Sequence, residues 1–372
     1  MPCVNTFSAR GSIGCVMLPE RTDGNHARQL AEPWHEAMLG PLQSRVVMSA
    51  MTRSAAGQGS VPTAAMATYY ARRADGGCGL ILTESTAIAA IGDGFPDAPR
   101  IVTEAQVEGW RAVTAAVHRS GSRIFCQLLH SGRITHPDYT DGQQPVSSTD
   151  RAAGGINRRN NQPYAVPRRL EASELPGIID AYRKAANAAE RAGFDGVELH
   201  LAHGYLPDQF LDAWVNDRTD EYGGSVENRC RFAVELTAAI VADQGPGRVM
   251  ARISPSRWMD GLYDWPDMPE MISHLLPALD AAGLRMLDIS CARADYMATA
   301  GRVIRMARPV WPHMLLAGAS LPQEAAQAEL DAGLVDMVTY GRLFLANPDL
   351  VQRFRQHLPL AEFEPGMLDT LE

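Results

Sequence analysis

The sequence predicts a single (β/α)8 barrel. Short apolar runs alternate with helical patterns eight times along the chain, and Gly or Asp precedes several of these runs. Some runs are almost continuously apolar, which is typical of parallel strands that are buried on both faces. The composition does not change along the chain, so one barrel fits better than two doubly wound halves. A barrel with insertions also accounts for 372 residues in one domain.

The expected elements follow from the spacing of the apolar residues. Strands are predicted at residues 45–49, 78–83, 122–130, 197–200, 248–253, 286–290, 314–318 and 337–341. Helices are predicted at residues 64–74, 105–120, 172–192, 225–243, 271–282 and 321–332. In the second helix, Val107, Trp110, Val113 and Val117 share one face, as expected for a helix that packs on a sheet.

Three segments lie outside this alternation. Residues 1–29 have no periodicity and predict a loosely ordered extension, whereas residues 361–372 form a short tail. The barrel domain is therefore expected at residues 30–360. Within it, residues 135–169 are polar and rich in Pro, Gly, Asn and Arg, which predicts a long surface excursion near the barrel mouth.

Composition excludes several classes of function. The hydrophobic and charged fractions, 46% and 21%, are those of a globular enzyme. A net charge of -9 without a basic run argues against nucleic acid as a partner. The six cysteines have no C-x-x-C spacing, which argues against disulfide frameworks and metal clusters. No apolar run has membrane-spanning length and no signal peptide is clear, so a cytoplasmic enzyme is expected.

The stretch from Phe194 to Leu211 carries the strongest functional signal. Val197 and Leu199 alternate with Glu198 and His200 as in a strand, and His203 and Tyr205 follow its end. Ligands bind at the carboxyl ends of strands in α/β proteins. Two imidazoles and a phenol there predict a hydrogen-bonding or catalytic site. Structural packing, or a zinc site completed by other histidines such as His130 and His136, are the alternatives.

Two further strand ends predict a phosphate site. Gly318-Ala319 and Gly341-Arg342 end the seventh and eighth strands, where barrels often hold a phosphate. Glycine lets the main chain approach a ligand, and Arg342 adds a bidentate charge. The alternative is that both glycines only form tight turns and that Arg342 is a solvated surface residue.

Arg252 and Gln127 also end predicted strands and face the same axis. A buried arginine needs an anion or an electron-rich acceptor, because an unpaired buried charge is prohibitive. The N1–O2 edge of a flavin is such an acceptor, and Gln127 could pair with the amide-like edge of the same ring. An ion pair with a nearby Asp or Glu is the alternative for Arg252.

Together these residues resemble the old yellow enzyme family of FMN-dependent ene-reductases. The resemblance covers roughly residues 30–360, and the block from His200 to Arg229 is highly specific. The main motifs are Leu82-Thr-Glu-Ser85-Thr86, Gln127-Leu-Leu-His130-Ser-Gly-Arg133, His200-x-x-His203-Gly-Tyr205, Asn216-Asp-Arg218-Thr-Asp-Glu-Tyr222-Gly-Gly, Arg252-Ile-Ser-Pro255 and Ala346-Asn347-Pro348-Asp349.

The resemblance implies a role for each candidate residue. His200 and His203 would hold the substrate oxygen, and Tyr205 would supply a proton. Phe95 and Leu129 would line the substrate pocket. Non-covalent FMN would contact the following residues: Ser49, Ala50, Met51, Thr52, Ser85, Gln127, Arg252, Gly318, Ala319, Gly341 and Arg342.

The implied reaction is ping-pong. NADPH or NADH reduces FMN, and the flavin then reduces the C=C bond of an α,β-unsaturated carbonyl or nitro compound. The expected partner is a small-molecule substrate, and the expected assembly is a monomer or homodimer. The same site run backwards, as a desaturase or isomerase of natural-product biosynthesis, is an alternative. A metal-dependent barrel hydrolase using His200 and His203 is another.

Several positions depart from the family pattern. Leu129 stands where relatives usually have Trp, which enlarges the pocket, and Phe95 stands where Tyr is common. Ser49-Ala50 replaces Ala-Pro beside the flavin, and Thr52 resembles the yeast-like branch. The C-terminal segment lacks the usual Tyr-Gly-Gly sequence that helps cover the flavin. The substrate therefore does not carry over from the resemblance.

Overall fold

Eight parallel strands close into a barrel, as the sequence predicts. The computed structural model describes residues 3–7, 13–17, 29–258, 261–291 and 294–372. The barrel strands, numbered β1 to β8, are Val46–Met48, Leu80–Leu82, Arg123–Leu129, Gly196–His200, Val249–Ile253, Met286–Ser290, Met314–Gly318 and Met337–Tyr340. The barrel closes where Val338 of β8 pairs with Val46 of β1.

Eight helices of seven or more residues, α1 to α8, surround the strands in the described chain. They are Ala64–Asp75, Glu104–Arg119, Leu175–Arg191, Val226–Gln244, Met268–Ala281, Ala300–Ala307, Gln323–Asp331 and Leu350–Gln356. Two shorter helices, Leu206–Leu211 and Arg342–Ala346, follow β4 and β8. Thr103 caps α2 in a reciprocal capping box with Gln106, which satisfies two free N–H groups at its first turn. The helix α5 begins three residues before its predicted start, because Pro269 is tolerated in the first turn, where its missing N–H has no partner to lose.

The apolar core of the barrel is divided into two clusters, because side chains alternate between the two faces of each strand. Ile81 and Leu199 lie in the large cluster that includes apolar residues of the helices. Leu80, Leu82 and Phe125 belong to a second cluster. The rest of that second cluster also comes mainly from barrel strands: Val47, Met250, Met286, Met314, Leu316 and Met337. This apolar layer fills the barrel interior below the polar residues at the strand ends.

The excursion at residues 135–169 contains short paired strands. Val146–Ser147 pairs with Arg168–Arg169, and Ile156–Asn157 pairs with Gln162–Pro163. Its first half is more buried than a surface loop, since Thr135, Thr140 and Ser147 have no exposed area. Their hydroxyl groups find partners inside the protein, so polarity alone does not indicate exposure here.

Three further antiparallel hairpins lie outside the barrel sheet in the described residues. Ser256–Trp258 pairs with Leu262–Asp264 beyond the end of β5, and Trp34–Glu36 pairs with Gly40–Leu42 before β1. In the predicted extension, Cys3–Phe7 pairs with Ile13–Met17. The prediction of a loosely ordered extension otherwise falls outside the described residues. Within the described chain, no helix has the length and apolar content needed to cross a membrane.

Candidate active site

The end of β4 places two histidines side by side. Glu198 pairs in register with Gln127 of β3, and His200 pairs with Arg252 of β5. His203 follows in a left-handed backbone conformation, with φ of 58°, which is strained for a non-glycine residue. Its N–H donates to Ser254 Oγ at 2.8 Å. Tyr205 then caps the short helix Leu206–Leu211.

The three predicted catalytic side chains come together. The ring centroids of His200 and His203 are 5.3 Å apart, and those of His200 and Tyr205 are 4.8 Å apart, both edge to face. His200 Nδ1 and His203 Nε2 are buried, and neither has a hydrogen-bond partner among the described residues. Buried polar atoms are normally paired, so the orphan nitrogens indicate a ligand site.

Burial keeps the three groups in their neutral forms. Burial, with the charges of His203 and Arg252, holds the pKa of His200 well below its usual value. Burial, with the charges of Arg252 and Arg257, lowers the pKa of His203 to about 3. Burial raises the pKa of Tyr205 to about 12, against an opposing effect of Arg159. At neutral pH each imidazole therefore has one N–H donor, and the phenol retains its proton.

An apolar wall faces Tyr205. Phe95, Ala98 and Leu129 form a small buried cluster against which Tyr205 packs. The rings of Phe95 and Tyr205 lie 6.4 Å apart, edge to face. The guanidinium of Arg159, from the excursion, lies 3.8 Å above the Phe95 ring. The two predicted pocket residues thus lie beside the predicted proton donor.

Polar side chains form a continuous network at the ends of β2 to β6. Ser85 Oγ donates to Gln127 Oε1 at 2.7 Å, and Gln127 Nε2 donates to Glu198 Oε2 at 2.6 Å. Arg252 Nε lies 3.4 Å from Glu198 Oε1, and Arg252 Nη2 lies 2.5 Å from Asp288 Oδ2. All these residues are buried. Sequence reasoning predicted Ser85, Gln127 and Arg252 but missed the two acids.

Both acids form ion pairs with Arg252, as in the alternative that the sequence left open. Arg252 Nη2 also donates to Ser49 Oγ at 3.1 Å. Burial opposes its charge, but Asp288 and Glu198 raise the pKa of Arg252 above its usual value. Burial raises the pKa of Glu198, against the effect of Arg252. The sequence did contain a signal for these two acids. A charged residue in a strand that is buried on both faces requires a partner of opposite charge.

The segment after β1 is hydrogen-bonded by another buried acid, Glu84. Glu84 Oε2 accepts the backbone N–H groups of Arg53 and Ser54 at 2.9 and 3.0 Å. This fixes the chain next to Thr52, whose side chain is predicted to contact flavin. Burial raises the pKa of Glu84 to about 7. Glu84 lies within the Leu82-to-Thr86 motif, but the sequence alone does not indicate this role.

The ends of β7 and β8 approach so closely that glycine is required at one of them. A Cβ on Gly318 would lie 1.8 Å from Thr339 Oγ1, and a Cβ on Gly341 would lie 3.1 Å from Met51 Sδ. Ser320 turns the chain away in a left-handed conformation, with φ of 38°. Arg342 is exposed, with its guanidinium 5.3 Å from the Phe363 ring centroid.

These features fit FMN. Gly318, Ala319, Gly341 and Arg342 offer main-chain approach and a positive charge for a phosphate. The buried network around Arg252 offers donors for the electron-rich edge of a flavin ring. Fold and site together define a cofactor-dependent (β/α)8 barrel enzyme.

Comparison with known proteins gives the family. The sequence profile of the NADH:flavin oxidoreductase / NADH oxidase family matches residues 38–361, and the chain belongs to this family. It is an FMN-dependent oxidoreductase with a nicotinamide reductant, which confirms the cofactors expected from the resemblance. The old yellow enzyme relationship is confirmed as well.

Related sequences and structures cover most of the chain. The 12-oxophytodienoate reductase 7 of Oryza sativa subsp. japonica is 40% identical over 345 residues, covering 87% of this chain and 86% of the relative. The old yellow enzyme homologue of Zymomonas mobilis superposes with a TM-score of 0.85 at 36% identity, covering 91% and 96% of the two chains. Morphinone reductase gives 0.83 at 38% identity, covering 92% and 93%.

Proposed function

We propose that the protein reduces the C=C bond of α,β-unsaturated carbonyl or nitro compounds. The observation that carries this proposal is the pair of buried, neutral imidazoles with orphan nitrogens beside a protonated tyrosine. The relatives support it, because they are named as reductases of 12-oxophytodienoate and of morphinone. The bound flavin supplies electrons, so the residues of the chain need only bind, polarise and protonate the substrate.

FMN would be held by the strand ends already described. Ser49, Ala50, Met51 and Thr52 form the segment that follows β1, where the flavin ring is expected. Ser85, Gln127 and Arg252 would contact the polar edge of the ring through the buried network. The cleft between β7 and β8, with Gly318, Ala319, Gly341 and Arg342, would hold the phosphate.

His200 and His203 would bind the substrate oxygen. Negative charge develops on that oxygen as the β-carbon of the substrate is reduced, and prearranged N–H donors stabilise it. Two neutral imidazoles each provide one donor without adding a buried positive charge. Because the pKa values of both are lowered, this donor set persists across the neutral pH range.

Tyr205 would protonate the α-carbon. Its pKa is raised to about 12, so it remains protonated at neutral pH. Phe95 and Leu129 lie beside it and would line the apolar part of the substrate pocket. A leucine at 129, where relatives usually have tryptophan, leaves room for a bulky cyclic ketone.

The metal-hydrolase alternative lacks a ligand set. Across the described residues, no group of three or more His, Cys, Asp and Glu side chains lies close enough together to hold a metal ion. His130 is also buried, and burial lowers its pKa to about 4. A desaturase or isomerase direction has no structural observation in its favour.

The Tyr205→Phe substitution tests the proposal. It removes the acidic proton while preserving the ring, and general acid catalysis typically contributes about 100- to 10,000-fold. Reduction of an enone should fall by that order. Reduction of the flavin by NADPH should remain nearly unchanged, because no proton passes through Tyr205 in that half-reaction. Rapid-mixing measurements of the two half-reactions separate these effects.

Nitro-olefins provide the internal control. Their nitronate products can leave the site and be protonated by water, so their reduction should fall much less. Equal losses in both half-reactions would make Tyr205 a binding or structural residue. No loss in either would assign the proton to another group.

We further infer that NADPH or NADH serves as reductant, that the enzyme is cytoplasmic, and that it is a monomer or homodimer. The absence of a C-x-x-C motif or disulfide framework in the sequence supports a reducing compartment. Kinetics with the two nicotinamides and light scattering would test the first and third points.

A further inference from the structure

A buried ionic cluster lies directly behind the His203 turn. Asp208 follows Tyr205 on the short helix Leu206–Leu211, and Arg257 lies on the hairpin strand Ser256–Trp258. Asp208 has no exposed area, Asp212 is 1% exposed and Arg257 is 4% exposed. These residues have no part in the proposed reaction or in the proposed binding of FMN. Burying two carboxylates with a single guanidinium costs desolvation free energy.

The hydrogen bonds connect this cluster to the histidine. Asp208 Oδ2 accepts the N–H of Gly204 and Arg257 Nη1, the latter at 2.7 Å. Asp208 Oδ1 accepts the indole N–H of Trp265 at 3.0 Å. Arg257 Nη2 donates to Asp212 Oδ2 at 3.0 Å. The peptide that follows His203 is thus fixed by a carboxylate that is itself fixed by a guanidinium.

His203 needs such support. Its left-handed backbone, with φ of 58°, is unfavourable for a residue with a Cβ and persists only where surrounding bonds determine it. Two bonds do so. Ser254 Oγ accepts the N–H of His203, and Asp208 accepts the N–H of Gly204. Arg257 Nη1 also lies 3.3 Å from the carbonyl oxygen of Ser254, so it contacts both supports.

We propose that Asp208 and Arg257 are positioning residues that hold His203 in its substrate-binding orientation. The inference rests on the proposed role of His203 in binding the substrate oxygen. Asp208 supplies the bond that fixes the turn, and Arg257 holds the Asp208 carboxylate and the Ser254 carbonyl in place.

The charged groups around His203 come from four elements. His200 at the end of β4 lies 5.3 Å away between ring centroids, and Arg252 on β5 contributes a positive charge. Arg257 on the hairpin contributes another, and it forms an ion pair with Asp208 on the short helix. Burial has the largest effect, followed by Arg252 and Arg257, and together they lower the pKa of His203 to about 3.

Phenol binding to the oxidised holoenzyme tests the positioning function, because the His200 and His203 N–H groups are the proposed donors to a ligand oxygen. Asp208→Asn should weaken phenol binding by about tenfold, because the Gly204 N–H loses a charge-assisted acceptor. Asp264→Asn, which changes the paired strand of the same hairpin at its contact with Arg302, should leave phenol affinity unchanged. Unchanged phenol affinity in Asp208→Asn would overturn positioning.

Two variants of Arg257 test whether the ion pair is needed. Arg257→Gln removes the guanidinium that holds Asp208 and should also weaken phenol binding. Arg257→Lys keeps a positive charge and should retain most of the wild-type affinity. Equal phenol affinities in Arg257→Gln and the wild type would remove Arg257 from the positioning pair.

These outcomes are separable from the proposed function. Weaker phenol binding in Asp208→Asn, in a protein whose wild type does not reduce enones, would leave the positioning pair intact and refute the reaction. Normal enone reduction by the wild type, with unchanged phenol affinity in Asp208→Asn, would do the reverse.

Discussion

His200 and His203 owe their chemistry to where they are buried. Histidine ordinarily titrates near pH 6.5, but here burial keeps both rings neutral, assisted by Arg252 and, for His203, also by Arg257. The orphan nitrogens, His200 Nδ1 and His203 Nε2, then remain available to a ligand. The sequence predicted the residues and their proximity. The protonation state depends on Arg252 and Arg257, which lie far away in the chain and reach the pair only through folding.

The histidine pair can be tested by ligand binding. If both rings hold a phenolate or enolate-like oxygen, simple phenols should give a long-wavelength charge-transfer band with the oxidised enzyme. The double substitution His200→Ala with His203→Ala should abolish the band and leave FMN bound. The exposed residue His118, on α2, gives a matched control, since His118→Ala should retain the band. Loss of bound metal in the double variant would instead revive the zinc hypothesis.

At the scale of single elements, the ends of β7 and β8 form the proposed phosphate cleft. Gly318 packs against Thr339, with no space for a methyl group between the two strands. The sequence does not show this requirement, because a glycine at position 318 is equally consistent with a turn and with close approach of the main chain to a ligand. The packing of one strand end on the next explains why glycine stands there.

The substitution Gly318→Ala should both destabilise the barrel and weaken FMN binding. Overpacking in a dense core typically costs about 1–3 kcal/mol of unfolding free energy, and any strand displacement would widen the proposed cleft. Gly177→Ala is the matched control, because its Cβ would meet nothing within 4 Å on helix α3. That change should stabilise the helix by about 0.5–1 kcal/mol. Chemical unfolding and FMN titration would measure both effects. A neutral Gly318→Ala would remove the steric argument.

At the scale of the whole molecule, buried neutral histidines make stability depend on pH. His130, His200 and His203 all have lowered pKa values in the folded protein, to about 4 for His130 and about 3 for His203. The unfolded chain binds protons at these residues near pH 6.5, and the folded chain does not. Stability is therefore fully present above about pH 6.5 and falls as the pH drops towards the folded pKa values.

This dependence should appear as a lower melting temperature between about pH 6.5 and pH 4. Replacing His200 and His203 together with asparagine should make the decrease shallower, because two of the three proton-binding sites of the unfolded chain are removed. His274→Asn, at an exposed position on α5, should leave the slope unchanged. An equally steep decrease in the double variant would assign the acid sensitivity to other groups.

The sequence by itself determined the barrel, the family and most of the proposed site. The period of the apolar residues and the composition can both be read from short stretches of sequence. Eight alternations of strand and helix then suffice to predict eight strands whose carboxyl ends share one face of a barrel. The candidate residues Gln127, Arg252, His200, His203 and Tyr205 could be predicted because each lies near the carboxyl end of a recognisable strand or just after it.

Tertiary structure alone decided which charges meet. Glu198 and Asp288 lie on different strands and converge on Arg252, while Asp208 and Arg257 are separated by 49 residues and form one ion pair. Sequence spacing has no information on such pairings, because electrostatic energy depends on distance and burial rather than on chain position. The protonation states, the support of His203 and the need for glycine at 318 all follow from contacts that exist only after the barrel has closed.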